Sequence, residues 1–260
     1  MSSGETPGAS ADANTGQRRR RRRRASASDA STPEHLSRAD LRQARPDLDE
    51  PRKDLGAFRR RQGVARPGLI IACGALVRDV QAVMAANGLD ATFDIRAVPA
   101  TYHNRPERIA PAVDRLIKAA KPHYSRIFVA FAECGTRGDL DAVLRNHGVE
   151  RLPGAHCYAV FSGISAFEVL SQDEISAFYL TDFLARNFKS LVWESLGLDR
   201  HPELRDIYFG HYDRLIYLSQ APDPDLVRRA EMAAGDLGLR FEHRPVGYGC
   251  LPETLKSAAS

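Results

Sequence analysis

Several features that mark exported, membrane-bound or disulfide-stabilised proteins are scarce in this chain. Only 4 of its 260 residues are cysteine, and none forms a C-x-x-C pair. Cysteines so few and so far apart argue against a disulfide framework and indicate a reducing compartment. No stretch of about 18 uninterrupted apolar residues occurs, so no segment is expected to span a bilayer. We therefore expect a cytoplasmic protein without membrane contact.

Nucleotide-binding signatures are missing as well. No G-x-G-x-x-G motif follows the first apolar run, and no G-x-x-x-x-G-K-[ST] loop is present. Those glycines let the backbone approach phosphate groups closely, so their absence removes the usual sequence basis for NAD binding or nucleotide hydrolysis. The residues leave open whether the protein is an enzyme.

An unbroken run of arginines occupies residues 18–24. In a secretory signal a basic segment precedes an apolar one, but residues 25–40 are polar, so no export signal of that kind is expected. No aromatic residues that would stack on bases interrupt the arginines. The run favours a solvated extension, with nucleic acid or an acidic partner as the alternative.

Composition divides the chain near residue 66. Residues 1–66 are nearly free of aromatics and rich in Ser, Ala, Arg and Asp, which cannot bury enough apolar surface to fold. They carry 16 Lys and Arg against 9 Asp and Glu, whereas residues 67–260 carry 21 against 24. We predict a disordered basic tail over residues 1–66 and a single α/β domain over residues 67–260.

From Gly68 onward, short apolar runs alternate with helix-like spacing, which is typical of a parallel sheet covered by helices. The predicted strands are residues 69–73, 93–98, 126–132, 156–161 and 214–218, with Phe241 on a final edge strand. The predicted helices include residues 75–87, 139–147 and 224–237, and a more helical segment covers residues 165–212, with Thr181 as a helix N-cap. The pattern predicts a Rossmann-like, doubly wound, mostly parallel sheet with a helical insertion before the last strands.

Three cysteines lie at or just beyond the ends of predicted strands: Cys73, Cys134 and Cys157. Strand ends of a parallel sheet gather along one edge, so these residues are expected to meet there with His103 or His156. Three sulfurs and one imidazole suit zinc or another thiophilic metal. We expect Cys73, Cys134, Cys157 and His156 as the ligands, with the choice between the two histidines left open.

Two other interpretations of the cysteines remain open. A thiol at a strand-to-helix turn, such as Cys73, can have a lowered pKa and act as a nucleophile without any metal. The cysteines can also be buried structural residues. In addition, Cys157 would point to the other face of the sheet if its strand shifted by one residue.

Polar residues and glycines next to these cysteines complete the candidate site. Gly74 and Gly135 would let the backbone approach a ligand closely, and the segment after His103 opens a helix N-terminus suited to ligand contact. The candidates are Glu133 and His103 for proton transfer, and Asn104, Gly74, Gly135 and Thr136 for cofactor contact. A third hypothesis is a non-enzymatic interaction module that docks through its arginine-rich tail.

Five segments of the chain resemble the domain of unknown function 1638 family. They are Ala72-Cys73-Gly74 and residues 99–107, 133–136, 153–158 and 178–183. The resemblance covers residues 68–255, and its matching positions are Cys73, His103, Asn104, Cys134, Gly135, His156 and Cys157. Arg137 departs from the pattern, because relatives usually have glycine there, and Cys250 has no counterpart.

Members of that family are often encoded beside corrinoid proteins and methyltransferases. The resemblance therefore implies a role near cobalamin-dependent methyl transfer, with a corrinoid protein or a methyltransferase as partner. It also implies that Cys250 stands outside the site.

Overall fold

A computed structural model describes residues 68–173 and 176–260. The predicted basic tail and its arginine run lie outside the described residues. In the part of the chain that is described, no helix combines the length and the apolar character needed to cross a bilayer.

The first half of the described chain forms a parallel sheet with the strand order β2-β1-β3-β4. Its strands are β1 (Gly68–Cys73), β2 (Phe93–Val98), β3 (Arg126–Ala130) and β4 (Glu150–Arg151). Every residue of β1 is buried, as expected for a continuous apolar run in the middle of a covered parallel sheet.

The second half forms another parallel sheet, with the order β5-β6-β7. Its strands are β5 (Ala177–Thr181), β6 (Arg214–Ser219) and β7 (Arg240–Pro245). Tyr217, Ile216 and Leu218 of the central strand β6 are fully buried.

Helices connect the strands in both halves. In the first half they are α1 (Val77–Ala86), α2 (Ile109–Ala120), α3 (Asp139–His147), α4 (Cys157–Ser162) and α5 (Ile164–Asp173). In the second half they are α6 (Asp182–Phe188), a π-helix at Lys189–Glu194, α7 (Leu204–Phe209), α8 (Pro224–Leu237) and α9 (Leu251–Ala259). Two short 3-10 turns, Ala100–Asn104 and Pro106–Arg108, precede α2.

Two connections tie the sheets to each other. The hydroxyl of Tyr158 on α4 donates a 3.3 Å hydrogen bond to the carbonyl of Tyr179 on β5. After β7 the chain returns to the first sheet, where Leu251 and Leu255 of α9 are fully buried in its core. The return passes so close to α4 that a Cβ atom at Gly249 would lie 2.1 Å from the Val160 carbonyl, which requires glycine there.

The predicted parallel α/β class is confirmed, with the strands divided between two sheets. Thr181 caps α6 as predicted, since its side chain accepts a hydrogen bond from the Leu184 amide. The strand predicted at residues 156–161 is wrong, because these residues form α4. A short apolar run cannot be assigned to strand or helix by its period alone. For the same reason β5 was predicted as part of the helical segment over residues 165–212.

Candidate functional site

The three cysteines predicted to meet come from three different elements. Cys73 ends β1, Cys134 follows β3, and Cys157 is the first residue of α4 rather than a strand residue. Burial raises the pKa of Cys157 well above its ordinary value, and the negative charges that Cys134 and Cys73 carry once ionised raise it further. The three sulfurs therefore lie within electrostatic range of one another, at the carboxyl edge of the first sheet.

Cys73 is the most deeply buried of these thiols, with 2% of its surface exposed. The Ala75 amide lies 3.4 Å from its sulfur, as expected at a strand-to-helix turn. Burial nevertheless raises the pKa of Cys73 to about 12, which outweighs the opposing effect of the backbone amides. Cys73 is therefore a neutral thiol at physiological pH, not the activated thiolate that a helix start alone would favour.

His103 is the imidazole that the fold brings to the thiols. Its Nδ1 and Nε2 atoms lie 3.8 Å and 3.9 Å from the Cys73 sulfur. Its ring stacks on Phe131, with the centroids 6.4 Å apart and the planes 9° from parallel. Its Nδ1 also lies 3.0 Å from the Ala100 carbonyl oxygen, and this contact fixes the ring within its 3-10 turn.

Cys134 interacts with the same imidazole. Burial lowers the pKa of His103, but the hydrogen bond and charge of Cys134 and the Ala100 carbonyl outweigh it and raise the pKa above its ordinary value. His103 is an exposed residue whose ring contacts the Cys73 sulfur and lies close enough to Cys134 to be influenced by its charge.

Gly74 explains how the turn that carries His103 reaches the first strand. The Gly74 amide donates a 2.8 Å hydrogen bond to the Val98 carbonyl at the end of β2. A Cβ atom at Gly74 would lie 3.0 Å from the Ala100 amide nitrogen. Glycine thus lets the two strand ends approach, and its predicted contact with a cofactor stays a prediction.

The loop that presents Cys134 has an unusual backbone. Both Cys134 and Arg137 have positive φ angles, 52° and 55°, a region that side chains other than glycine rarely adopt. The Cys134 amide donates a 2.8 Å hydrogen bond to the Ala155 carbonyl, just before α4. Such conformations persist only where surrounding contacts impose them, and they concentrate at functional sites.

Glu133 supplies most of those contacts. Its carboxylate accepts hydrogen bonds from the Gly135 amide at 2.8 Å, the Thr136 hydroxyl at 2.8 Å and the Gly138 amide at 3.2 Å. Burial raises its pKa, but these hydrogen bonds outweigh burial and hold the pKa below its ordinary value. The structure thus places Glu133 as an ionised clamp of the loop, and its predicted part in proton transfer stays a prediction.

The other predicted site residues lie at the edge of this cluster. His156 is the exposed N-cap residue of α4, and its ring lies 6.3 Å from that of Tyr158 and 6.1 Å from that of Phe167. Asn104 is exposed at the end of its 3-10 turn. The structure therefore brings His103 to the cysteines and directs His156 toward an aromatic cluster.

The donor atoms suit a thiophilic metal, but their present spacing does not. Within residues 68–173 and 176–260, no group of three or more His, Cys, Asp or Glu side chains is arranged to hold a metal ion. The site is thus a thiol and imidazole cluster that a metal ion would have to draw together.

Two buried carboxyl groups beside the cluster were missed by the sequence analysis. Asp79 on α1 is 8% exposed, and burial followed by the nearby charge of Asp182 raises its pKa to about 7. Asp182, at the start of α6, is itself 6% exposed and accepts hydrogen bonds from the Tyr217 hydroxyl at 2.7 Å and the Gln220 amide at 3.0 Å. No sequence signal singled out either acid, because each stands in the first turn of a helix, where an acid is ordinarily exposed and favourable.

The sequence profile of one family matches residues 97–255, more than half of the chain. It is described as "Protein of unknown function (DUF1638)". The chain belongs to this family. Cys134, Cys157 and His103 lie within the match, whereas Cys73 on β1 precedes it. No curated protein and no solved structure matches the chain.

Proposed function

We propose that this protein binds a small ligand with a thiophilic centre through Cys73, Cys134 and Cys157, with His103 as the accompanying imidazole. The centre is zinc or another thiophilic metal ion, alone or carried by a small molecule. The observation that supports this proposal is the placement of three sequence-distant thiols toward one sheet edge, where the Cys73 sulfur contacts the His103 imidazole and Cys134 influences it electrostatically.

The electrostatics of the cluster favour a cation as its occupant. The negative charges that the neighbouring sulfurs and Asp79 carry once ionised all add to the raised pKa of Cys157, after the larger effect of burial. Thiols in such surroundings keep their protons until a positive charge replaces them. Binding of a metal ion would release these protons, because the ligand form of cysteine is the thiolate.

Metal binding would also require a local rearrangement. A zinc–sulfur bond is about 2.3 Å long, so all three sulfurs would have to point to one centre. Cys134 is the residue best placed to move, because it is only half-buried and lies in a loop rather than in a strand or a helix.

The family resemblance supplies a setting for this chemistry in corrinoid-linked one-carbon metabolism. A zinc ion held by these thiolates would supply Lewis acidity toward an incoming thiol or methyl-group carrier. His103 would accept or return the proton of that thiol, since its ring contacts the Cys73 sulfur. In this proposal the protein acts in the cytoplasm, beside a corrinoid protein or a methyltransferase.

The pairing of Cys134 with His103 favours a second candidate function, a metal-free thiol enzyme. A thiol close to an imidazole is the arrangement that activates a cysteine nucleophile, and Cys134 acts electrostatically on His103. The strained backbone at Cys134 also fits a catalytic loop.

Measuring the metal and small-molecule content of the purified protein distinguishes the two candidate functions. We expect full-length protein prepared without chelator or affinity metal to contain a near-stoichiometric metal ion or a co-purifying small molecule. Cys134→Ser should lose it while remaining folded, whereas Cys250→Ser, which alters a thiol that begins α9, should retain it. Equal content in wild type and Cys134→Ser would contradict the proposal. Absence of any ligand from the wild type, together with a pH-dependent reactive Cys134, would favour the thiol enzyme.

A further inference from the structure

Buried polar side chains gather at the carboxyl end of the second sheet, in a region that the proposed function does not use. Four of them are at most 6% exposed and lie at the ends of β5 and β6: Thr181, Asp182, Ser219 and Gln220. Such side chains are mostly exposed in folded proteins, and the carboxyl ends of the strands are where parallel α/β sheets bind ligands. This end of the second sheet therefore has the composition of a binding site.

Ser219 is paired with a histidine of the neighbouring strand. Its Oγ atom lies 2.9 Å from Nε2 of His243, which is exposed, so the pair is at the protein surface. Pairing of β6 with β7 places Tyr217 opposite His243 and Ser219 opposite Pro245, so this contact runs diagonally across the two strands. With the ring proton on Nδ1, the Ser219 hydroxyl donates the hydrogen bond to Nε2. A nucleophile and its general base have this arrangement.

The ring of His243 is held by a tyrosine that has an anchor of its own. The two rings stack, with the centroids 5.1 Å apart and the planes 15° from parallel. Tyr217 is fully buried, and its hydroxyl donates a 2.7 Å hydrogen bond to Asp182. The backbone amides of Gln220 and Ala221 fix that carboxylate at 3.0 Å and 3.2 Å. A base oriented by a third group is the second feature of an activated nucleophile, after the hydrogen bond itself.

We propose that Ser219 is a catalytic nucleophile activated by His243, in a second site that does not involve the thiols. Its substrate is a neutral, activated acyl compound, namely a small carboxylic ester. The carboxylate of Asp182 accepts a hydrogen bond from the amide of the residue that follows Ser219. A negative charge so close to the nucleophile repels anionic substrates, which favours an uncharged ester over a phosphate.

The reaction is a transfer of the acyl group to the serine and then to water. As Oγ of Ser219 attacks the carbonyl carbon, Nε2 of His243 takes the hydroxyl proton and the carbonyl electron pair moves to oxygen. The tetrahedral intermediate loses the alcohol, which takes the proton from His243, and an ester remains on Ser219. Water attacks this ester with His243 again as the base, and the carboxylic acid and the free serine are released.

A fluorophosphonate tests the nucleophile directly, because it bonds to activated serines and releases fluoride. Full-length protein is treated with it, and the adduct is located by fragmenting the tryptic peptide of residues 215–228, in which Ser219 is the only serine. We expect an adduct on Ser219 in the native protein, formed about 100-fold more slowly in His243→Gln. His211→Gln, which changes another exposed histidine whose ring contacts a tyrosine, should react like the wild type.

Two chromogenic compounds test the substrate class. Release of p-nitrophenolate from p-nitrophenyl acetate should be faster in the wild type than in Ser219→Ala, and acid quenching should trap an acetyl group on Ser219. Release from p-nitrophenyl phosphate, an anion, should be the same in both proteins. Far-UV circular dichroism identifies a variant that has lost its fold, and the wild-type adduct does not depend on any variant.

Three results would overturn the proposal. One is a native wild type in which Ser219 forms no adduct, and another is an adduct that forms equally fast in wild type and folded His243→Gln. The third is release from p-nitrophenyl acetate that is no faster in the wild type than in Ser219→Ala, which would exclude the acyl substrate. None of them bears on the thiol site, which is tested by its metal and small-molecule content.

Discussion

The sulfur of Cys73 lies 3.8 Å from Nδ1 and 3.9 Å from Nε2 of His103, although 30 residues separate the two in the chain. Parallel pairing of β1 with β2 produces this contact, because it aligns Cys73 with Val98 at the end of the neighbouring strand. The turn after β2 then carries His103 across the end of β1. The contact thus follows from the pairing of β1 with β2. A ligand bound at the thiols would also contact the His103 imidazole.

The three site thiols should differ in reactivity. Burial raises the pKa of Cys73 to about 12 and that of Cys157 well above its ordinary value, so both remain protonated near pH 8, although Cys157 is only half-buried. Cys134 is half-buried in a loop. We expect iodoacetamide to label Cys134 first, Cys157 more slowly because its thiol stays protonated, and Cys73 only after denaturation, as followed by peptide mass analysis. Labelling of Cys73 in the native protein at the rate of Cys134 would contradict the burial described here.

Asp79 should make the protein less stable as the pH rises. Its carboxyl has a pKa of about 7 when folded, against an ordinary value of 3.8, so the folded state binds the proton more tightly. The free energy of unfolding therefore falls between about pH 4 and pH 7, and the penalty is complete above pH 7. Asp79→Asn removes the penalty.

Urea denaturation at about pH 5 and pH 8.5 measures this effect. We expect Asp79→Asn to exceed the wild type at the higher pH by up to about 4 kcal/mol, the upper limit set by the size of the pKa shift. At the lower pH the difference should shrink. Asp90→Asn serves as the control at an exposed position, and a wild type as stable as Asp79→Asn at pH 8.5 would show that Asp79 is not buried in solution.

The hydrogen bond from Tyr217 to Asp182 should stabilise the second sheet. Tyr217 is fully buried, and its hydroxyl lies 2.7 Å from a carboxylate oxygen that also accepts the Gln220 amide. Tyr217→Phe should lower the free energy of unfolding by about 1–3 kcal/mol, because a buried charge loses a donor. Asp182→Ala should cost more, since it leaves the donors unpaired. Tyr208→Phe, at a position that is 41% exposed, should have little effect in the same urea titrations.

Glu133 should control the loop that presents Cys134. Hydrogen bonds from the loop hold its pKa below the ordinary value despite burial, so its stabilising effect is present above about pH 4.5 and is lost as the pH falls through the folded pKa. Glu133→Gln should remove that acid dependence and speed alkylation of Cys134, because the side-chain amide can replace only part of the clamp. Glu107→Gln, at an exposed position before α2, should change neither quantity.

Much of the fold could be predicted from local patterns. The bounds of α3 and α8 were predicted correctly, because an αL glycine ends each helix, Gly148 after α3 and Gly238 after α8. The split into two sheets could not be predicted, since it depends on where α4 and α5 cross from one sheet to the other. That crossing begins in the same apolar run that was assigned to a strand.

The candidate site was predictable to a similar degree. Placing Cys73, Cys134 and His103 at one edge required only that strand ends gather in a parallel sheet. Asp79 could not be found this way, because an acid in the first turn of a helix is normally exposed and favourable there. The burial of Asp79 arises from tertiary packing, which cannot be predicted from a local sequence pattern.

The central claim is that Cys73, Cys134 and Cys157 form one binding site. The most direct test is protection of Cys134 from alkylation by a single molar equivalent of Cd²⁺ in full-length protein, compared with Cys73→Ser, Cys157→Ser and Cys250→Ser. We predict protection in the wild type and in Cys250→Ser, and its loss in the other two variants, because their missing sulfurs belong to the same cluster. Protection that survives in both Cys73→Ser and Cys157→Ser, or that is missing in the wild type, would show that the three thiols do not share a site.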